Sequence, residues 1–126
     1  MRYLLLACLA GVLVACFSNA EEAVKTTYQS EIITDDEVYF FTMNGCPHCA
    51  EAKAYLAQKY PNLRLIEREI SNKTNLDYFY ACGAKFGLSK WRLGAPLFCM
   101  GQHYILGWDK SEEANFDEYI KPFLEK

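Results

Sequence analysis

Twelve residues, "VYFFTMNGCPHC" at positions 38–49, leave few folds open. The first five are β-branched or aromatic, the composition of a buried strand. Met43, Asn44 and Gly45 then supply a turn. Pro47 stands where a first helical position tolerates it, because its missing N–H would have no partner there. Beyond it Ala52, Tyr55, Leu56 and Tyr60 recur at helical spacing, with Glu51, Lys53 and Lys59 on other faces. Pro61 closes the helix. Two thiols, Cys46 and Cys49, therefore sit one turn apart at the mouth of a helix that follows a strand.

The rest of the chain continues in the same manner. Residues 63–70, "LRLIEREI", alternate apolar and charged for most of their length, which predicts a strand with one wet face. Residues 74–87 read as a second helix that stops at Gly87. "PLFCM" and "HYILGW" flank Gly101 and Gln102 as a hairpin. Phe116, Tyr119, Ile120, Phe123 and Leu124 mark a last helix, with Asp109 and Glu112 as its capping signal. Pro122 falls inside that pattern and should kink or break it. The order is strand, helix, strand, helix, strand, strand, helix. Its first half wants a parallel crossover, and the whole makes a small mixed sheet with helices on both faces.

Residues 1–20 stand apart from this globule. Arg2 is followed by an apolar run from Tyr3 to Cys16 that is short for a bilayer span, and "SNA" at 18–20 places small residues before a cut. We read 1–20 as a signal peptide, 21–37 as an N-terminal arm and 38–126 as the folded domain. "LVAC" at 13–16 offers a rival, lipoprotein-type cleavage that would leave Cys16 as a lipidated N-terminus. Either cut sends the protein to the periplasm or otherwise outside the cytoplasm, and a membrane is met only through that anchor. Cys46, Cys49, Cys82 and Cys99 then face an oxidising compartment, where disulfides persist. A net charge of −3 provides no basic footprint for nucleic acid.

A helix entrance favours an anion, because its N–H groups are unpaired and its dipole end is positive. That depresses the pKa of Cys46, and His48 between the thiols pushes the same way. Cys49 should be the more buried thiol, the one that resolves mixed disulfides. A metal site would need Cys82 and Cys99 as well, and neither has a near partner for a chelate loop. An inert staple closing so short a loop gains the fold little. Redox exchange is the reading these residues favour. Cys82 and Cys99 are either small buried hydrophobes or a second, structural disulfide. His103 reads as a surface strand residue. Trp91 reads as packed and Arg92 as solvated, with a place beside a substrate groove as their alternative.

Strand "VYFFT", then "CPHC" opening a helix, then "GAP" at 94–96 before a hairpin strand, resembles the thioredoxin fold over residues 38–126. The resemblance implies a central mixed four-stranded sheet with helices on both faces, and a cis peptide between Ala95 and Pro96 facing the cysteines. Ala95 and Pro96 would then meet the substrate chain. Within that superfamily "FFTMNGCPHCAEAKAYL" and "LGAPLFCMGQHYILGWD" are more similar to glutaredoxins than to thioredoxins, and Phe40 stands where many thioredoxins have a buried acid. The glutathione pattern matches only at Gly107 and Asp109; Met43 and Leu106 depart from it. The CPHC tetrad is that of periplasmic disulfide-forming oxidases.

The expected activity is thus an exported protein-disulfide oxidoreductase, with Cys46, Pro47, His48 and Cys49 as its catalytic tetrad. It would exchange the Cys46–Cys49 disulfide with protein thiols, more as oxidant than as reductase. A membrane redox partner would recycle the pair. No organic or metal cofactor is called for, and glutathione is weakly supported. The alternatives are a reductase of protein or glutathione mixed disulfides, and a non-catalytic peptide-binding lipoprotein on the same fold.

Overall fold

The computed structural model describes residues 32–125. The signal-peptide and Cys16 lipidation readings, and the first part of the arm, lie outside them. A compact unit runs over Ile33–Lys126, so it begins ahead of the first strand. Ile33 is already buried in it. Thr34 N–H donates to the Tyr39 hydroxyl at 3.3 Å.

Strand β1 is Val38–Thr42 and is buried throughout. Helix α1 is Pro47–Lys59. Strand β2 is Ile66–Glu69, helix α2 is Lys73–Lys85, and a single 3-10 turn follows at Lys90–Arg92. Strands β3 (Leu97–Met100) and β4 (His103–Leu106) form the hairpin. Helices α3 (Glu112–Tyr119) and α4 (Lys121–Leu124) close the chain. The sheet runs β2-β1-β3-β4, with β1 parallel to β2 and antiparallel to β3.

Register sorts the core into two faces. Val38 pairs with Met100 and Phe40 with Phe98, so these four side chains share one side of the sheet. There they meet Ala52 and Leu56 of α1 and Phe116 of α3. Phe40 and Phe98 stack with centroids 4.3 Å apart. On the other side lie Tyr39, Phe41, Leu97 and Cys99, and α2 covers them: Phe79 meets Phe41 edge-on at 5.7 Å. Each face buries aromatic and aliphatic side chains worth about 1.5–3 kcal/mol apiece.

Three expectations need correction. The second strand is half the length that its alternation predicts. Leu63 N–H turns back onto the Tyr60 carbonyl at 3.1 Å, and Leu63 and Leu65 pack against the core cluster instead of pairing. Nor is its outer face simply wet. Arg68 is half-buried, with its guanidinium 3.9 Å over the Tyr78 ring. Helix α3 has Ser111, not Asp109, at its N-cap position, and Ser111 makes no side-chain cap. Asp109 instead forms a turn ahead of it, accepting the Ser111 N–H at 2.7 Å. Those Ser111 hydrogen bonds, the hydroxyl's first, hold the Asp109 carboxyl below its usual range. Pro122 does break the pattern: the chain restarts at Lys121 as α4, with the proline in the first turn.

Candidate active site

The link from β1 to α1 is four residues long, and Gly45 at φ +73 makes its last bend. A side chain there would cost about 1–2 kcal/mol in that left-handed conformation. The bend places Cys46 in the N-cap position of α1, in extended backbone, with its sulfur as the capping acceptor. The N–H of Cys49 points at Cys46 Sγ from 3.2 Å. A sulfur fills the place an oxygen of Ser or Asp usually takes. Its charge as a thiolate is met by a backbone dipole and by the positive end of the helix.

Cys46 and Cys49 are disulfide-bonded, with Cα atoms 5.2 Å apart. The two sulfurs differ in access. Cys46 is half-exposed, while Cys49 is 2% exposed beneath it. Pro47 and His48 face solvent. His48 Nδ1 lies 3.6 Å from the Glu51 carboxylate, an exposed pair on the same helix. Met43, Gly45, Ala50 and Lys53 complete a shallow cleft around the bridge. Lys53 is tied to Glu67 of β2 at 2.7 Å.

Opposite the disulfide, the peptide bond between Ala95 and Pro96 is cis. Pro96 is buried, and its carbonyl accepts the Gly107 N–H at 2.8 Å, which fastens the loop to the end of β4. The Ala95 carbonyl oxygen lies 3.7 Å from Cys46 Sγ. Helix entrance and proline loop, fifty positions apart in sequence, thus converge on one sulfur.

Cys82 of α2 and Cys99 of β3 form a second disulfide with Cα atoms 6.2 Å apart. They are 0% and 1% exposed, so no substrate reaches them. His103 is exposed on the edge strand and stacks on Tyr119 at 4.1 Å. Trp108 is core. Trp91 is the opposite of what its composition suggests: it is 97% exposed on the 3-10 turn. Sequence reasoning also missed the polar knot at Asp117, whose carboxylate takes the hydroxyls of Tyr55 and Tyr60 and the Lys59 ammonium, each at 2.5 Å. The i, i+4 spacing of Tyr55 and Lys59 was its one trace in the sequence.

A mixed four-stranded sheet between helices, with a CxxC pair opening α1 and a cis proline opposite it, defines a thioredoxin-like fold. Among solved structures the chain is similar to glutaredoxins. The glutaredoxin grx-1 from Archaeoglobus fulgidus aligns at 19% identity and a TM-score of 0.51, over 68% of this chain and 87% of that one. Buckwheat glutaredoxin, in a complex with glutathione, aligns at 19% and 0.51 over 79% of this chain and 86% of its own. The holo form of glutaredoxin C1 from Populus tremula x tremuloides gives 19% and 0.51, over 79% and 85%. At this identity the likeness is one of fold. No family model and no curated protein matches the chain.

Proposed function

We propose that this protein is an exported thiol–disulfide oxidoreductase that oxidises protein thiols through Cys46 and Cys49. One observation carries the reading: of the two disulfides among the described residues, only the Cys46–Cys49 pair offers a sulfur to solvent, and that sulfur caps a helix. A substrate thiolate attacks Cys46 Sγ, the Cys46–Cys49 bond breaks, and Cys49 leaves as a thiolate that takes up a proton. The substrate's second thiolate then attacks the mixed disulfide and releases Cys46 as a thiolate. Substrate is oxidised by two electrons and the pair is reduced by two. Stabilising the Cys46 thiolate stabilises the reduced form, which makes the disulfide the stronger oxidant. A membrane redox partner would take those electrons away.

Export rests on residues 1–20, and an oxidising compartment suits a second disulfide sealed in the core. The opposite direction, reduction of protein or glutathione mixed disulfides, gains support from the likeness to glutaredoxins and from Gly107 and Asp109. Leu106 and Met43 weigh against a glutathione site.

The test has two parts. A Cys49→Ser protein should accumulate mixed disulfides when its Cys46 thiolate attacks oxidised, disulfide-bonded protein substrates, each attack releasing one substrate thiolate, and Cys46→Ser should not. Equilibration of the pair in a glutathione buffer should give a potential well above the roughly −270 mV of a thioredoxin. A value near that figure would reverse the direction.

A further inference from the structure

Trp91 is the most exposed large hydrophobic residue among those described, at 97%, and it makes no ring contact. Its neighbours Lys90 and Arg92 are both cationic and exposed. The Lys90 ammonium sits 4.9 Å over the Tyr80 ring, and Arg92 has no ion-pair partner among the described residues. Leaving a tryptophan in water forfeits a large burial energy, and Trp and Arg are the residues that anchor interfaces once covered.

The turn that carries them is held rather than loose. Arg92 N–H donates to the Ser89 carbonyl at 3.0 Å. A methyl added at Gly83 of α2 would fall 2.6 Å from Leu93 Cδ1, so Leu93 rests directly on that helix backbone. Three residues after Arg92 comes Ala95, whose carbonyl faces Cys46. On the other flank, Arg92 lines a cavity of roughly 470 Å³ with Phe86, Leu88, Tyr104 and Tyr119. Glu112 is the one carboxylate there, and its oxygen already accepts from Asn115 Nδ2 at 3.0 Å. Met43, 50% exposed, stands in the cleft around Cys46.

We infer that the Lys90–Trp91–Arg92 turn is a docking surface for acidic, extended polypeptide, which selects the protein substrates presented to Cys46. An apolar side chain of the partner covers Trp91, and its carboxylates meet Lys90 and Arg92. Continuity with the Ala95–Pro96 loop argues for a substrate chain running on to the disulfide, in preference to a membrane surface. The assignment deepens the exchange reading above, but its binding step stands without any turnover.

The probe is a short extended peptide with a leucine between aspartates and glutamates, and serines where a substrate would carry cysteines. Trp91 emission reports binding, since Trp108 is buried at 5% exposure and supplies a constant background. The acidic peptide should shift that emission to the blue. Its affinity should fall about tenfold when lysines replace its acids, or in a Lys90→Glu/Arg92→Glu protein. The charge-reversed protein should prefer the lysine peptide, a swap that a misfolded variant cannot produce. Trp91→Ala should remove the shift and weaken binding in an isothermal titration.

Equal affinity for the two peptides overturns the proposal. So does a blue shift seen only with vesicles of phosphatidylglycerol, which would make the turn a membrane contact. The cysteine-bearing version of the acidic peptide separates this failure from that of the exchange reading. Binding without oxidation sinks the chemistry and spares the surface, and oxidation with no preference for acids does the reverse.

Discussion

Cys46 Sγ lies 3.7 Å from the carbonyl oxygen of Ala95, across 49 residues of chain. That carbonyl points its negative end at the sulfur, while the Cys49 N–H at 3.2 Å points its positive end. The helix entrance decides between them, because its aligned N–H groups act together. Reduced Cys46 should therefore titrate below the roughly 8.5 of a free thiol, within the range of about 3.5–7.5 found for helix-start cysteines. Thiolate ultraviolet absorbance against pH checks this, with Cys46→Ser as the blank. A sulfur still protonated well above neutrality would remove the basis of the oxidant reading.

The two disulfides should open in sequence under a graded reductant. Cys46–Cys49 faces solvent on one sulfur, and Cys82–Cys99 is sealed between α2 and β3. Mass measurement after alkylation should find Cys46 and Cys49 blocked at low reductant, and Cys82 and Cys99 blocked only after unfolding. Replacing both Cys82 and Cys99 by Ala, with 17 residues of separation, should lower unfolding free energy by about 3 kcal/mol. Urea denaturation monitored by circular dichroism gives the number. A loss under about 1 kcal/mol would mean that the bridge constrains the unfolded chain little.

What could be read from the sequence was what its punctuation marks. Gly45 and Pro47 located the start of α1, and Gly101 located the hairpin, since a backbone bend or a missing N–H is a local fact. Strand β2 was misjudged in length because alternation records a preference, whereas pairing needs a partner. β1 offers it only Tyr39 to Thr42. Trp91 was misjudged because composition assigns a tryptophan to the core, and only tertiary placement leaves one in water. The proximity of Cys82 to Cys99 is likewise a distance between a helix and a strand. Such a distance is set by packing and has no local signature.

Gly101 opens the β3–β4 turn at φ +59, and it is the first residue of a two-residue connection. That is the position of a type II′ turn which glycine alone occupies without strain. A Cβ there would also sit 3.3 Å from the Asp35 carbonyl oxygen. Gly101→Ala should cost about 1–2 kcal/mol. Gly94→Ala is the control, because its φ is not positive and its Cβ would meet open space. Chemical denaturation of the pair should show a loss at 101 and none at 94.

Asp117 ties α3 to α1 through Tyr55, Lys59 and Tyr60, and this knot should shape stability at both ends of the pH scale. Burial pushes the Asp117 carboxyl up, but the bonds donated by Lys59, Tyr55 and Tyr60 together outweigh it and hold it below its usual value. A lowered carboxyl contributes stability above its unfolded pKa of about 3.9 and loses it as pH falls through the folded value. Burial first, then the bond to Asp117, raises the pKa of both tyrosines. Their contribution is whole below about 10 and is lost as pH rises through the folded values. Lys59 is raised as well, chiefly by its bond to Asp117, and loses its share in the same alkaline direction. Asp117→Asn should cost about 1–2 kcal/mol at neutral pH. The gap to the wild type should narrow below about pH 4, where the unfolded chain's carboxyl takes up its proton while the native one is still charged. On the alkaline side the slope should lessen only in part, because the burial of Tyr55 and Tyr60 survives the substitution. Urea midpoints collected across pH measure all three. Parallel curves for the two proteins at every pH would show that the carboxylate carries none of this dependence.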